Sequence, residues 1–550
     1  MKKNLTVWNL FSVVILAAFA LFIMYPIFLI LYRSVIYGDT GALTLQNFAH
    51  FFAKKFYWGT MVNSLRVTVV STILSAALGL PLAYLMRSVK IKGSSFLNIL
   101  IVISYLSPPF IGAYAWIQML GRQGVITQFL NDTFGFHYGG VYGFAGIVLV
   151  FTLQSFPLVY IYVSGALKNL DNSLNEAAES LGCSRMGRIW KIIVPLVMPT
   201  LLASSMLVFM RVFADFGTPM LIGEGYKTLP VLIYNQFMGE VSGDDGFAAA
   251  ICCIVIGLTI VMFFVQRFLA GRNTYAMTAL KPMAAESLGG LRNILAHLAV
   301  YMVVGLAILP QFVVVYTSFL ATNGGQVFTG GFALQSYDAT LFAKDNDVIW
   351  HTYFLGLCAI AAVLVLGVLI AYLSVRKRNT LNSILDVMTM FPFIIPGSVL
   401  GIAFVFAFNK SPIILTGTAL IMIISFAVRR MPYTVRSSTA ILGNISPSIE
   451  EAAISLGASD MTTFRKITVP MMMPGVLSGA IMSWVTIISE LSSSIILYTN
   501  STQTLTVSIY TEVIRGNYGN ASAYATILTV TSILSLLLFY KVTGRRDVSV

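Results

Sequence analysis

Three ionisable residues stand in otherwise apolar stretches of the chain: Arg211, Asp215 and Glu490. An ionisable group near the centre of a bilayer costs about 2.5–3.5 kcal/mol on insertion scales, so it turns toward a protein interior or a cavity. Arg211 and Asp215 are four residues apart, so on a helix they share a face and can pair. Glu490 follows Asp215 by 275 residues, and Thr486 occupies the place of Arg211, which leaves Glu490 with the more open electrostatics. Two carboxylates at matching places in two halves could line a central path, and such a path would suit a cationic substrate. The plainer alternative keeps Arg211–Asp215 as a self-contained structural pair and Glu490 held by Ser489, Ser492 or Ser493. Catalytic chemistry is not legible. His50, His137, His297 and His351 are scattered, and no triad or zinc spacing can be assembled. No G-x-x-x-x-G-K-[ST] phosphate loop occurs, so this chain is not expected to hydrolyse ATP by itself. We expect no catalytic residue, no metal site and no cofactor on it.

The 275-residue spacing belongs to a duplication. EAAESLGCSRMGRIWKIIVPLVMP at 176–199 returns as EAAISLGASDMTTFRKITVPMMMP at 451–474, with 14 of 24 positions identical and no gap. Further matches pair Leu45-Gln46-Asn47-Phe48 with Leu334-Gln335-Ser336-Tyr337, and Ala83-Tyr84-Leu85 with Ala371-Tyr372-Leu373. Those matches run at offsets of 288–289. A longer loop, GRQGVITQFLNDTFGFHYGGVYG, in the first half absorbs the difference. A repeated polar segment between apolar ones is not explained by packing against lipid; a surface that docks something twice explains it. Glu176 to Leu181 reads as a short helix with Asn172 or Ser173 as N-cap. Gly182 should end it through a left-handed turn, and an amphipathic stretch from Arg185 to Ile193 leads to Pro195 and Pro199. The second copy repeats this with Glu451, Ala452, Ala453, Gly457, Pro470 and Pro474.

Composition dictates where these elements stand. The 550-residue chain is 57% hydrophobic and 10% charged, with a mean hydropathy of +0.84; soluble chains carry about 25% charged residues. It is expected to be an all-α polytopic membrane protein. Most of its 34 lysines and arginines fall in alternate loops and at the two termini, the bias of cytoplasmic loops. The net charge of +13 therefore does not indicate nucleic acid. Both termini and both repeated segments are assigned to the cytoplasm. Cys183, Cys252, Cys253 and Cys358 suggest neither a disulfide framework nor a metal set.

Spans need about 20 apolar residues, and twelve candidates run from 10–32 to 521–541, as two parallel six-helix repeats at 1–280 and 281–550. The apolar run from about Leu10 to Leu31 is read as the first span rather than a signal peptide. The fifth (194–216) and eleventh (471–495) would carry the charges above, and the tenth is placed at 413–433. Pro108 and Pro109 should interrupt the third span, and Pro392 and Pro396 the ninth. Outer loops carry acids (Asp39, Asp132, Glu224, Glu240, Asp244, Asp245, Asp338, Asp345, Asp347 and Glu512) that could form a docking rim.

The pattern E-A-A-x-x-x-G followed by I-x-V-P resembles the EAA loop of binding-protein-dependent ABC importer permeases, at 176–195 and 451–470. The resemblance implies the type I permease fold in a bacterial inner membrane. It also implies that Glu176, Ala177, Ala178 and Gly182 contact one ABC ATPase subunit, and Glu451, Ala452, Ala453 and Gly457 a second copy. Those subunits would bind ATP and Mg, and an extracytoplasmic binding protein would deliver the substrate. Two such loops in one chain, with SPPFIGAYAWIQMLGRQG (107–124) and Ala-Asp-Phe-Gly-Thr-Pro (214–219), are similar to fused ferric-iron permeases. Fused thiamine permeases are built alike and aminoethylphosphonate permeases share similar phrases, so thiamine, polyamine or an organophosphonate are the alternative substrates. An ion-coupled secondary transporter is disfavoured, because those often use inverted repeats.

Overall fold

The computed structural model describes residues 7–37, 41–135, 139–239, 245–270, 285–323, 327–342 and 347–543. Apart from two short antiparallel hairpins, β1 (Ile36–Tyr37) with β2 (Ala42–Leu43) and β3 (Leu320–Asn323) with β4 (Val327–Phe332), the regular structure among them is helical.

The first half comprises α1 (Val7–Ser34), α2 (Gln46–Ala53), α3 (Lys55–Ser88), α4 (Ser94–Leu106), α5 (Pro109–Leu120), α6 (Val125–Phe134), α7 (Gly143–Lys168), α8 (Asn172–Ser180), α9 (Arg185–Ala214), α10 (Gly217–Ile222), α11 (Leu229–Met238) and α12 (Asp245–Ala270). The second half comprises α13 (Gly290–Ser318), α14 (Gln335–Leu341), α15 (Val348–Arg376), α16 (Thr380–Ile394), α17 (Gly397–Phe408), α18 (Ala419–Asn444), α19 (Ser448–Ser455), α20 (Asp460–Ile488), α21 (Ser494–Leu497), α22 (Leu505–Arg515) and α23 (Tyr518–Thr543).

Among the described residues, nine helices are long and apolar enough to cross a membrane, and two bent pairs bring the number to eleven. The expected tenth span is the exception. Its helix starts at Ala419 rather than 413, runs on to Asn444 and contains Arg429, Arg430 and Arg436. It is not an apolar span, and those arginines turn out to matter. The expected loop between the third and fourth spans contains helix α6, ended by Gly135 in a left-handed turn. Of the polar stretch around 270–293 that joins the halves, residues 271–284 lie outside the described residues.

Both proline breaks form. Pro108 caps α5, and Pro396 caps α17, which meets α16 at 111°. Pro392 sits in the first turn of the last segment of α16. Beside the break, Gln154 of α7 donates Nε2–H to Pro109 O at 2.7 Å. Broken helices are tolerated at membrane depth where protein packs around them.

The halves share their packing as well as their order. α3 lies against α7, and α15 against α18. At each crossing a glycine permits the approach. A Cβ on Gly79 would lie 2.7 Å from Val159 Cβ, and one on Gly367 2.9 Å from Thr434 Cγ2. The glycines are 288 residues apart and their partners 275, the two offsets of the duplication. The first long helix of each half crosses over: α1 packs on α15, α16 and α17, and α13 packs on α4 and α5. The halves defined at 1–280 and 281–550 are therefore interlocked in space.

Candidate functional site

The two repeated segments form one motif at matching places. In the first, Ala177 to Gly182 ends α8 with two backbone bonds, Gly182 N–H to Glu179 O and Cys183 N–H to Ala178 O, both 2.9 Å. In the second, Gly457 N–H reaches Ile454 O at 2.9 Å and Ala458 N–H reaches Ala453 O at 3.1 Å. This paired closure needs a residue in the left-handed region. Gly182 and Gly457 supply it at φ +78° and +91°. The spacing from Glu-Ala-Ala to Gly is thus the length of one short helix plus its terminator.

The turn ejects the residue before the glycine. Leu181 is 88% exposed and Leu456 90%. Glu176, Ala177, Gly182, Glu451, Ala452 and Gly457 are also exposed, Ala178 is half-buried and Ala453 is buried. An exposed leucine beside small residues, presented twice by one backbone geometry, suits insertion into an apolar cleft. The N-cap differs from the sequence expectation. Asp171, rather than Asn172 or Ser173, starts α8, its carboxylate accepting Ser173 N–H at 2.9 Å. Asn172 instead donates to Glu176 Oε1 at 2.9 Å.

After the turn at 181–184 or 456–459, a long helix restarts at Arg185 or Asp460, with Ser184 or Ser459 as N-cap. A π turn, Ile189–Ile193 or Phe464–Thr468, leads into the Val-Pro step. Pro195 and Pro470 lack the N–H that a regular turn would use, and the wider i→i+5 turn carries the chain across. With about 1.5 Å of rise per residue, each of α9 and α20 is a rod of roughly 45 Å.

Those rods end at the intramembrane charges, and here the structure corrects the sequence reading. Asp215 is not inside the fifth span: α9 stops at Ala214, and Asp215 lies beyond it with extended backbone, accepting Thr218 N–H at 2.9 Å. Because the helix has ended, Arg211 and Asp215 do not share a face, and no ion pair joins them among the described residues. Arg211 lies over Tyr105, its Cζ 4.7 Å from the ring centroid. Its buried Nη1 has no hydrogen-bond partner. Glu490 likewise falls two residues past the end of α20.

Glu490 does not have open electrostatics. It is 3% exposed and paired with both Arg429 and Arg430 of α18, one arginine to each carboxylate oxygen. Ser493 adds its N–H at 3.2 Å and its hydroxyl at 3.3 Å to Oε1, one of the serine contacts anticipated from the sequence. Asp215 and Glu490 do lie within electrostatic reach of each other, as do Tyr105, Tyr433, Arg211 and Arg430. The structure therefore gathers Arg211, Asp215 and Glu490 into one neighbourhood. Three guanidinium groups there face two carboxylates, so it is not an acidic cage for a bare cation. The sequence reading missed Arg429 and Arg430, and the signal was available: an Arg-Arg-Met-Pro run inside a stretch taken as apolar.

Of the outer acids, Asp39, Glu240, Asp244 and Asp345 lie outside the described residues. Asp245 pairs with Arg33 at 2.6 Å, and Glu224 with Arg122 at 2.7 Å. Among the described residues no group of three or more His, Cys, Asp or Glu could hold a metal ion.

Comparison with known proteins gives one family twice. The family described as "Binding-protein-dependent transport system inner membrane component" matches residues 75–275 and 363–546, one stretch in each half. A ferric transport system permease protein of Actinobacillus pleuropneumoniae is 30% identical over 546 residues, covering 97% of this chain and 78% of that protein. A putative ferric transport system permease protein of Haemophilus influenzae is 30% identical over 505 residues, covering 90% and 78%. A putative 2-aminoethylphosphonate transport system permease protein of Salmonella choleraesuis is 27% identical over 270 residues, 48% of this chain and 92% of that protein.

Proposed function

The chain belongs to the family of binding-protein-dependent transport system inner membrane components, and from that premise we propose that it moves ferric iron inward, powered by ATP hydrolysed on partner subunits. As a member of that family it is a multi-pass permease of an ABC importer. Two ATPase copies dock at 176–182 and 451–457, with ATP and Mg bound on them rather than on this chain. Both termini face the cytoplasm. An extracytoplasmic binding protein delivers the cargo on the opposite side. The iron assignment is supported by the names of relatives that cover most of the chain.

The observation that carries the mechanism is that each docking motif is joined by a four-residue turn to a helix that reaches the central break. Each such helix passes through one π turn and ends beside the charge cluster at Asp215 or Glu490. Closure of the ATPases draws the two motifs together. Rigid helices convert that displacement into movement of the breaks, where Glu490 links α20 to α18 through Arg429 and Arg430. ATP shifts the population only insofar as the two conformations bind the partners differently. Substrate choice then rests chiefly on the binding protein, since the cluster offers no cage of carboxylates.

An organophosphonate is the second reading. It is favoured by the phosphonate permease relative over half the chain and by the excess of guanidinium groups, which suit anionic oxygens. Titrating the partner binding protein with ferric ion and with 2-aminoethylphosphonate separates the two. Tight binding of ferric ion alone supports the iron reading, and tight binding of the phosphonate alone overturns it.

A further inference from the structure

The charge cluster at the break holds one cation more than it holds anions, and that cation can be named. Glu490 gives one carboxylate oxygen to Arg429 and the other to Arg430. Asp215 accepts Thr218 N–H at 2.9 Å and lies within electrostatic reach of Arg211 without pairing to it. Arg211 is left with a buried Nη1 that has no hydrogen-bond partner and with its guanidinium over the Tyr105 ring. Arg211 and Tyr105 are only half-buried, so the pair is not sealed into the packing.

The cluster stands where the halves meet. Tyr105, Arg211 and Asp215 come from the first half, and Arg430, Tyr433 and Glu490 from the second. The two breaks touch beside it: a Cβ on Gly217 would lie 2.8 Å from Phe110 Cβ and 3.1 Å from Leu491 Cδ2. A cargo passing between the halves meets these side chains. The surplus cation belongs to one half alone. Thr486 stands at the place of Arg211, at the 275 offset, and Phe393 at that of Tyr105, at the 288 offset. Phe393 meets the ring of Tyr433 with centroids 4.9 Å apart, so the counterpart ring packs on another ring rather than under a guanidinium.

A guanidinium at membrane depth without a carboxylate of its own attracts an anion, and its planar fork suits the oxygens of a phosphate or carboxylate. The Tyr105 hydroxyl can donate to the same oxygens. A bare ferric ion is trivalent and would be repelled by the surplus charge. A ferric ion whose oxyanion ligands cancel that charge would not. We propose that Arg211 and Tyr105 form an oxyanion site on the transport path, and that ferric iron crosses with an oxyanion ligand turned toward Arg211 rather than as a bare ion. The site rests on the permease reading of the chain; the form of the cargo rests in addition on the iron reading given above.

The site is tested on the purified full chain in detergent, without ATPase or binding protein, with inorganic phosphate as the probe. Equilibrium dialysis should show saturable binding of radiolabelled phosphate. Arg211→Gln should weaken it about tenfold or more, the loss of one charge-assisted hydrogen bond. Arg211→Lys and Tyr105→Phe should each weaken it less, and they carry the comparison where Arg211→Gln does not fold. No phosphate binding by the native chain, or equal binding by the native chain and the Arg211 variants, overturns the site. The form of the cargo is tested in proteoliposomes with the ATPase and with binding protein loaded with iron, radiolabelled phosphate being the only oxyanion outside. Phosphate should accumulate inside together with iron and not with iron-free binding protein. Arg211→Gln should lower both together, and Arg211→Lys should restore both in part. Iron accumulating without phosphate overturns the form of the cargo and leaves the site standing. A binding protein that takes up no iron overturns it through the iron reading, and the dialysis result still decides the site.

Discussion

Replacing Glu490 with glutamine removes the anion from between two guanidinium groups without changing its size. Arg429 and Arg430 are 12% and 17% exposed at their side chains, and their buried Nε atoms have no hydrogen-bond partner. Neither can turn to water while α18 stays packed against α15 and α20. Removing one member of a buried ion pair costs about 3–5 kcal/mol, because an uncompensated charge stays behind. Here one carboxylate serves two arginines, so the upper part of that range is expected. That is roughly three decades in the folding equilibrium. Removing an arginine as well should recover part of the loss, since Glu490→Gln with Arg430→Gln leaves fewer stranded charges. The difference between the double mutant and the summed singles should reach about 1–3 kcal/mol for groups in one network. Denaturation of the purified protein in detergent, followed for the native chain, both single mutants and the double mutant, measures it. Additive losses, or a Glu490→Gln protein as stable as the native chain, would refute the idea that this carboxylate neutralises α18. Uptake by Glu490→Gln should also fall below a tenth of native even in the fraction that remains folded, because α20 loses its hold on α18.

Three further outcomes follow from the same geometry. Leu456→Asp should abolish co-purification of the ATPase while leaving the melting temperature of the permease unchanged, since the leucine is 90% exposed; Leu181→Asp should act alike at the other motif. Gly457→Val should destabilise the turn by about 1–2 kcal/mol, the cost of a left-handed backbone for a residue with a side chain, although no atom lies within 4 Å of the added Cβ; faster amide exchange confined to 448–458 is the readout. Gln154→Leu should cost about 0.5–1.5 kcal/mol by removing the hydrogen bond to Pro109 O beside the break, and a melting temperature equal to native would show that this contact does not hold the break.

The repeated helix-glycine motifs and both proline breaks were legible because each is local. Glu-Ala-Ala, a glycine six residues after the Glu and a Val-Pro step specify a short helix, a left-handed terminator and a π turn with little help from distant residues. The charge cluster was not legible in the same way. Whether Asp215 pairs with Arg211 depends on where α9 ends, and that is set by Thr218 N–H capturing the carboxylate, a contact across the break. The partners of Glu490 come from α18, 60 and 61 residues away, and only packing brings them together.

Proteoliposomes holding this chain and its ATPase, with iron-loaded binding protein on the outer face, test the central claim most directly. Iron should accumulate inside when hydrolysable ATP reaches the ATPase side, and accumulation should cease with a non-hydrolysable analogue or with Leu181→Asp and Leu456→Asp combined. Iron accumulation driven by an ion gradient with no ATPase present would contradict the account.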